Sequence, residues 1–90
     1  MIINNVITLD DNTKYLLLDD TVLENIKYFY AVEVDNVSLE PLEHFVFLKE
    51  SLDSKNVCAT IIDDVELCSA LLIIFTNNLG LEMDKYSQNN

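Results

Sequence analysis

The sequence predicts an α+β domain: a mostly antiparallel meander of about five strands packed on one C-terminal helix. Three observations predict it. Short apolar runs separated by tight polar clusters recur from Val6 to Ile62. Links that short join antiparallel neighbours, because a parallel crossover needs a dozen or more residues. From Val65 onward the apolar spacing changes from alternation to a helical stripe. Finally, half of the 90 residues are apolar, although Asp and Glu number 16, Lys and Arg together only 5, and the net charge is −11. Disorder requires high charge together with low hydrophobicity, and here the second condition fails. The acids are therefore expected to coat a packed interior.

Each element follows in order. Val6–Leu9 reads as a short strand, stopped by Asp10-Asp11-Asn12-Thr13, where Asp and Asn bond their own backbone and tolerate left-handed φ. Lys14–Leu18 resumes as the second arm of a hairpin. Asp19-Asp20 is expected to interrupt it before Thr21–Leu23, and Glu24-Asn25 marks a second turn. Ile26–Val34 alternates best, with Tyr28, Tyr30, Val32 and Val34 on one face and Lys27, Phe29, Ala31 and Glu33 on the other. Asp35–Glu43, with the single proline Pro41, is the longest expected loop. Phe45–Leu48 forms a fourth strand, and Asp53–Asn56 turns into a fifth at Val57–Ile62.

Asp63-Asp64-Val65-Glu66 fits a capped helix start: an acidic N-cap, a Glu three residues later, and both charges at the positive end of the dipole. The helix carries Val65, Cys68, Leu72, Phe75 and Leu79 on one stripe and Leu67, Leu71 and Ile74 on an adjoining one. Gly80, the single glycine, occupies a C′ position. Residues 1–80 are expected to form one domain and 81–90 a polar, frayed tail.

Composition excludes several function classes. A nucleic-acid backbone or an anionic membrane surface is engaged through Lys and Arg, so direct binding to either is rejected. No apolar run reaches the ~18–20 residues of a membrane span. Met1-Ile2-Ile3 runs into Asn4-Asn5 without a basic segment, so a cytoplasmic protein with reduced thiols at Cys58 and Cys68 is expected.

Candidate chemistry is sparse. His44, the lone imidazole, is a formal base for Cys58, but Cys58 lies mid-strand with no helix terminus or cation to activate it. The pairs Asp10-Asp11, Asp19-Asp20 and Asp63-Asp64 lack the alternating carboxylates and central glycine of a calcium loop. One glycine rules out glycine-rich phosphate cradles. The expectation is a non-enzymatic protein without metal or cofactor.

The run Val6-Ile7-Thr8-Leu9-Asp10-Asp11-Asn12-Thr13-Lys14-Tyr15, followed by Leu23-Glu24-Asn25-Ile26-Lys27-Tyr28-Phe29-Tyr30-Ala31-Val32, resembles the YrzB-like family of small acidic proteins from low-GC Gram-positive bacteria. That family pairs an L-x-D-G-x-x-Y hairpin with a Y-x-G-x-x-Y-x-V strand. It closes on an apolar helix opened by E-D-x-E, as Asp63-Asp64-Val65-Glu66 opens one here. The resemblance spans Val6 to Leu79, with Asn12 and Asn25 near the positions of the family's hairpin glycines. It implies the fold and a bacterial host, and no catalytic residue.

Two functions are consistent with these features. The first is an inhibitor, of the kind phages and mobile elements carry, that mimics nucleic acid and docks onto a basic surface of a nucleic-acid-binding protein. Its acidic residues are taken from turns expected to be exposed: Asp10, Asp11, Asp19, Asp20, Glu24, Asp35, Glu40 and Glu43. The second is a housekeeping interaction module or homodimer acting through the apolar helix at Leu71, Ile73 and Ile74.

Overall fold

A computed structural model of the chain describes residues 1–78. Five antiparallel strands and one helix follow in chain order: β1 (Val6–Thr8), β2 (Lys14–Leu23), β3 (Ile26–Val34), β4 (Pro41–Asp53), β5 (Asn56–Ile61) and α1 (Val65–Asn78). Each strand pairs with its sequence neighbour, giving the sheet order β1-β2-β3-β4-β5. The fold is the expected α+β meander. Leu79, the cap expected at Gly80 and the tail 81–90 lie outside the described residues.

The hairpins rest on left-handed residues, as their sequences anticipate. Asn12 has φ 69° and its amide donates to the Leu9 carbonyl at 2.9 Å, closing the first turn. Glu24 (φ 53°) and Asn25 (φ 67°) form the two-residue link between β2 and β3. Two successive left-handed residues match the twist of the strands they join.

Alternation along β3 supplies both faces of the sheet. Phe29 and Ala31 pack with Tyr15, Leu17 and Leu48 on one face, covered by Met1, Ile3, Ile7, Leu9 and Val46. Tyr28 and Tyr30 pack on the other face, under Leu71 and Phe75 of α1, beside Leu23, Ile26, Phe47 and Ile62. The sheet is therefore two-sided: the helix covers one side, and the N-terminal segment with β1 folds over part of the other.

Three boundaries differ from the sequence expectation. Asp19 and Asp20 lie inside β2 rather than in a turn, because the ladder slips at Leu18 and absorbs the irregularity as a bulge. The expected loop Asp35–Glu43 shortens to 35–40. Pro41 opens β4 opposite Val34, where its missing amide costs least, and Glu43 sits in a second bulge at φ 60°. The helix is also rotated from the expected stripe. Leu71 and Phe75 are buried and Leu67 and Cys68 half-buried, whereas Val65 and Leu72 face outward.

Candidate functional site

Strand direction decides where the acids gather. In a meander the β1–β2 and β3–β4 links fall at the same end of the sheet. Asp10 and Asp11 project there from the first link, Asp35 and Glu40 from the second. Glu43 in the β4 bulge and Glu33 near the end of β3 add two more carboxylates close by. Asp11, Glu33 and Asp35 line one shallow depression of about 230 Å³, with Asn12, Thr13 and Leu42 among its walls.

Local hydrogen bonds hold this rim in shape. Asp11 Oδ1 accepts the Thr13 amide at 3.0 Å, and Asp35 Oδ2 accepts the Val37 and Ser38 amides at 2.9 Å each. Those amides favour the charged carboxylate, so both groups titrate below the usual aspartate range. The Thr13 amide is the leading cause at Asp11 and the Ser38 amide at Asp35. Two basic side chains touch the rim: Lys14 Nζ donates to the Asn36 carbonyl at 3.4 Å, and His44 Nδ1 meets Glu33 Oε1 at 2.8 Å.

Of the eight acids singled out from sequence, five are thus brought to one end: Asp10, Asp11, Asp35, Glu40 and Glu43. The other three are not. Asp19 and Asp20 are half-buried within β2 and point to opposite faces, because neighbours on a strand alternate. Asp19 Oδ1 accepts the Asp20 amide at 2.9 Å, while its Oδ2 is buried with no hydrogen-bond partner among the described residues. Asp20 approaches Lys27 Nζ at 3.5 Å, and that ammonium also lies 5.2 Å from the Phe29 ring centre. Glu24 sits at the far end of the sheet in the β2–β3 turn. Asp19 and Asp20 are corrections to the exposed-turn expectation, whereas Glu24 is exposed in a turn as expected, at the other end of the sheet.

Pairing leaves most of the acid without a cation. Fourteen carboxylates fall among residues 1–78; Asp20 and Glu50 pair with an ammonium among the described residues, and Glu33 meets the His44 imidazole. Glu50 is held by the Met1 ammonium at 2.8 Å. Sequence reasoning missed Glu33 and Glu50, since their partners lie 11 and 49 residues away and emerge only from strand register.

The helix surface also departs from expectation. Leu71 is 0% exposed on the sheet-facing side of α1 and belongs to the core, Ile74 is half-buried, and Ile73 at 64% stands clear of the sheet. The exposed large apolar side chains of α1 are Val65, Leu72 and Ile73.

The thiols are half-buried and unpaired with each other. Cys68 Sγ donates to the Ile62 carbonyl at 3.5 Å. Burial first, and then Asp64 and Asp63, push that thiol above its ordinary range and away from nucleophilic character. His44 is engaged with Glu33 rather than with Cys58. Among the described residues no group of three or more His, Cys, Asp or Glu has the geometry to hold a metal ion, and no helix is long and apolar enough to cross a membrane.

Comparison with protein-family models, with curated proteins and with solved structures finds no match for this chain.

Proposed function

We propose that this chain is a non-catalytic binding protein that docks its acidic rim onto a basic, nucleic-acid-binding surface of a partner protein and inhibits it. One observation carries the reading: Asp10, Asp11, Asp35, Glu40 and Glu43 lie at one end of the sheet, with Lys14 and His44 as the nearby basic side chains. Carboxylates held by backbone amides present a preformed anionic surface, which steers and aligns a basic partner at little ordering cost.

The test compares the native protein with a variant reversed at Asp10, Asp11, Asp35 and Glu40 to Lys. Each is titrated into complexes of duplex DNA with purified basic DNA-binding proteins of the host. Displacement of DNA by the native chain, steeply weakened between 50 and 300 mM salt and lost in the variant, is the expected result. Equal displacement by both proteins rejects the rim as the docking surface. A second reading, an adaptor acting through α1, is favoured by exposed Val65, Leu72 and Ile73. It requires salt-tolerant binding that Ile73→Glu abolishes.

A further inference from the structure

Strand β5 is the free edge of the sheet on the side away from β1 in the ladder order. The Ile62 amide donates to the Phe47 carbonyl of β4 at 2.9 Å. Amide direction alternates along a strand, so Asn56, Cys58 and Thr60 also turn their backbone groups toward β4. Val57, Ala59 and Ile61 consequently turn theirs outward, where no strand meets them among the described residues.

Natural edges are usually blunted by charge, proline or extreme brevity. This one is not: Asn56-Val57-Cys58-Ala59-Thr60-Ile61 holds six uncharged residues, with Val57 and Ile61 solvent-exposed. Charges flank it instead, Lys55 before and Asp63 after.

From this arrangement we infer that β5 is a self-association edge, pairing antiparallel with β5 of a second copy about a two-fold axis centred on Ala59. The inference is independent of the acidic-rim reading. That register is chosen by three features together. Ala59 faces its own copy, and the outward backbone groups of Val57, Ala59 and Ile61 meet those of Ile61, Ala59 and Val57 in the other chain, making about six hydrogen bonds. The side chains of these residues share the face opposite the helix, so Val57 packs on Ile61 at both ends of the ladder. Lys55 of each copy falls beside Asp63 of the other, an opposite-charge pairing at either end. This matching occurs locally even though the two molecules repel overall at −11 each. β5 shares a cleft of about 260 Å³ with the N-terminal segment, lined by Met1, Ile7, Thr8, Leu9 and Asp10 on one side and Val57, Cys58 and Ala59 on the other.

The experiment is sedimentation equilibrium on the native chain, on Ala59→Pro and on Ile73→Glu, at 150 mM salt. Proline at position 59 removes an amide that points away from β4, so the monomer's own ladder stays intact. The native chain is expected to dimerise, Ala59→Pro to raise the dissociation constant at least tenfold, and Ile73→Glu to leave it unchanged. A second readout guards against misfolding of the proline variant. With Cys58 and Cys68 replaced by Ser, Ala59→Cys should cross-link to its copy under mild oxidation, since a hydrogen-bonded pair sets Cα atoms about 5.5 Å apart, within disulfide reach. Val57→Cys in the same background should not. A native chain that stays monomeric to millimolar concentration, a dimer broken by Ile73→Glu but not by Ala59→Pro, or equal cross-linking at positions 57 and 59 would each overturn the inference.

Discussion

Tyr30 stacks on Phe75 with ring centres 5.8 Å apart, and this pair fastens the middle of the sheet to the helix. Phe47 lies against both rings, at 5.7 Å from Tyr30 and 5.8 Å from Phe75, and Phe45 extends the stack from the far side of Tyr30 at 5.5 Å. Aromatic contacts of this kind add roughly 0.5–1.5 kcal/mol each beyond the area they bury. These rings, together with buried Leu71, hold the helix on the sheet.

Phe75→Ala should destabilise the protein by about 3–5 kcal/mol, the range for emptying a fully buried aromatic site. Ile73→Ala, one face away and exposed, should cost under about 0.5 kcal/mol. Urea denaturation of both variants checks the contrast, and similar losses at the two positions would contradict the helix orientation described here.

Asp64, not Asp63, caps the helix. Its Oδ1 accepts the amides of Glu66 and Leu67 at 3.0 and 3.2 Å. Asp64→Ala is expected to cost about 1 kcal/mol, whereas Asp63→Ala should be nearly neutral. The order of the two midpoints in thermal melting decides between them.

Glu24 holds a left-handed conformation at φ 53° without the local hydrogen bonding that lets Asn tolerate it. Glu24→Asn should therefore stabilise the β2–β3 hairpin by roughly 0.5–1 kcal/mol. A midpoint that stays put or falls in the variant refutes strain at that turn.

Stability should depend on pH at both ends of the scale, with opposite signs. The amide bonds to Asp11 and Asp35 lower their folded values. Their contribution is complete above the unfolded value of about 3.9 and is lost as pH falls through the lower folded value. Cys68 is raised by burial, so its contribution is present below the unfolded value of about 8.5 and lost as pH climbs through the folded one. Asp35→Asn should flatten the acid limb of melting temperature against pH, and Cys68→Ala the alkaline limb. Limbs left unchanged by these substitutions assign the pH dependence to other groups.

Much of the fold was legible because its signals are local. The turn at Asp10–Thr13, the alternation of Ile26–Val34, the acidic start at Asp63-Asp64 and the helix after it depend on residues within a few positions of one another. The acidic rim was legible in part. Asp10, Asp11, Asp35 and Glu40 fall in links whatever the register, whereas Asp19 and Asp20 looked like a turn because two adjacent aspartates ordinarily avoid a strand. The bulge at Leu18 that admits them is a property of pairing with β3.

What the amino-acid order determined alone is the meander, the acidic start of the helix and the strongly anionic composition, since each follows from composition, period or short-range hydrogen bonding. Tertiary structure alone decided which acids converge, which side of the helix is buried, and that His44 reaches Glu33 and Met1 reaches Glu50. The reason is physical: a one-residue change in strand register, or a rotation of the helix by one position, moves every side chain to another neighbour. Packing across the sheet, not local preference, sets both.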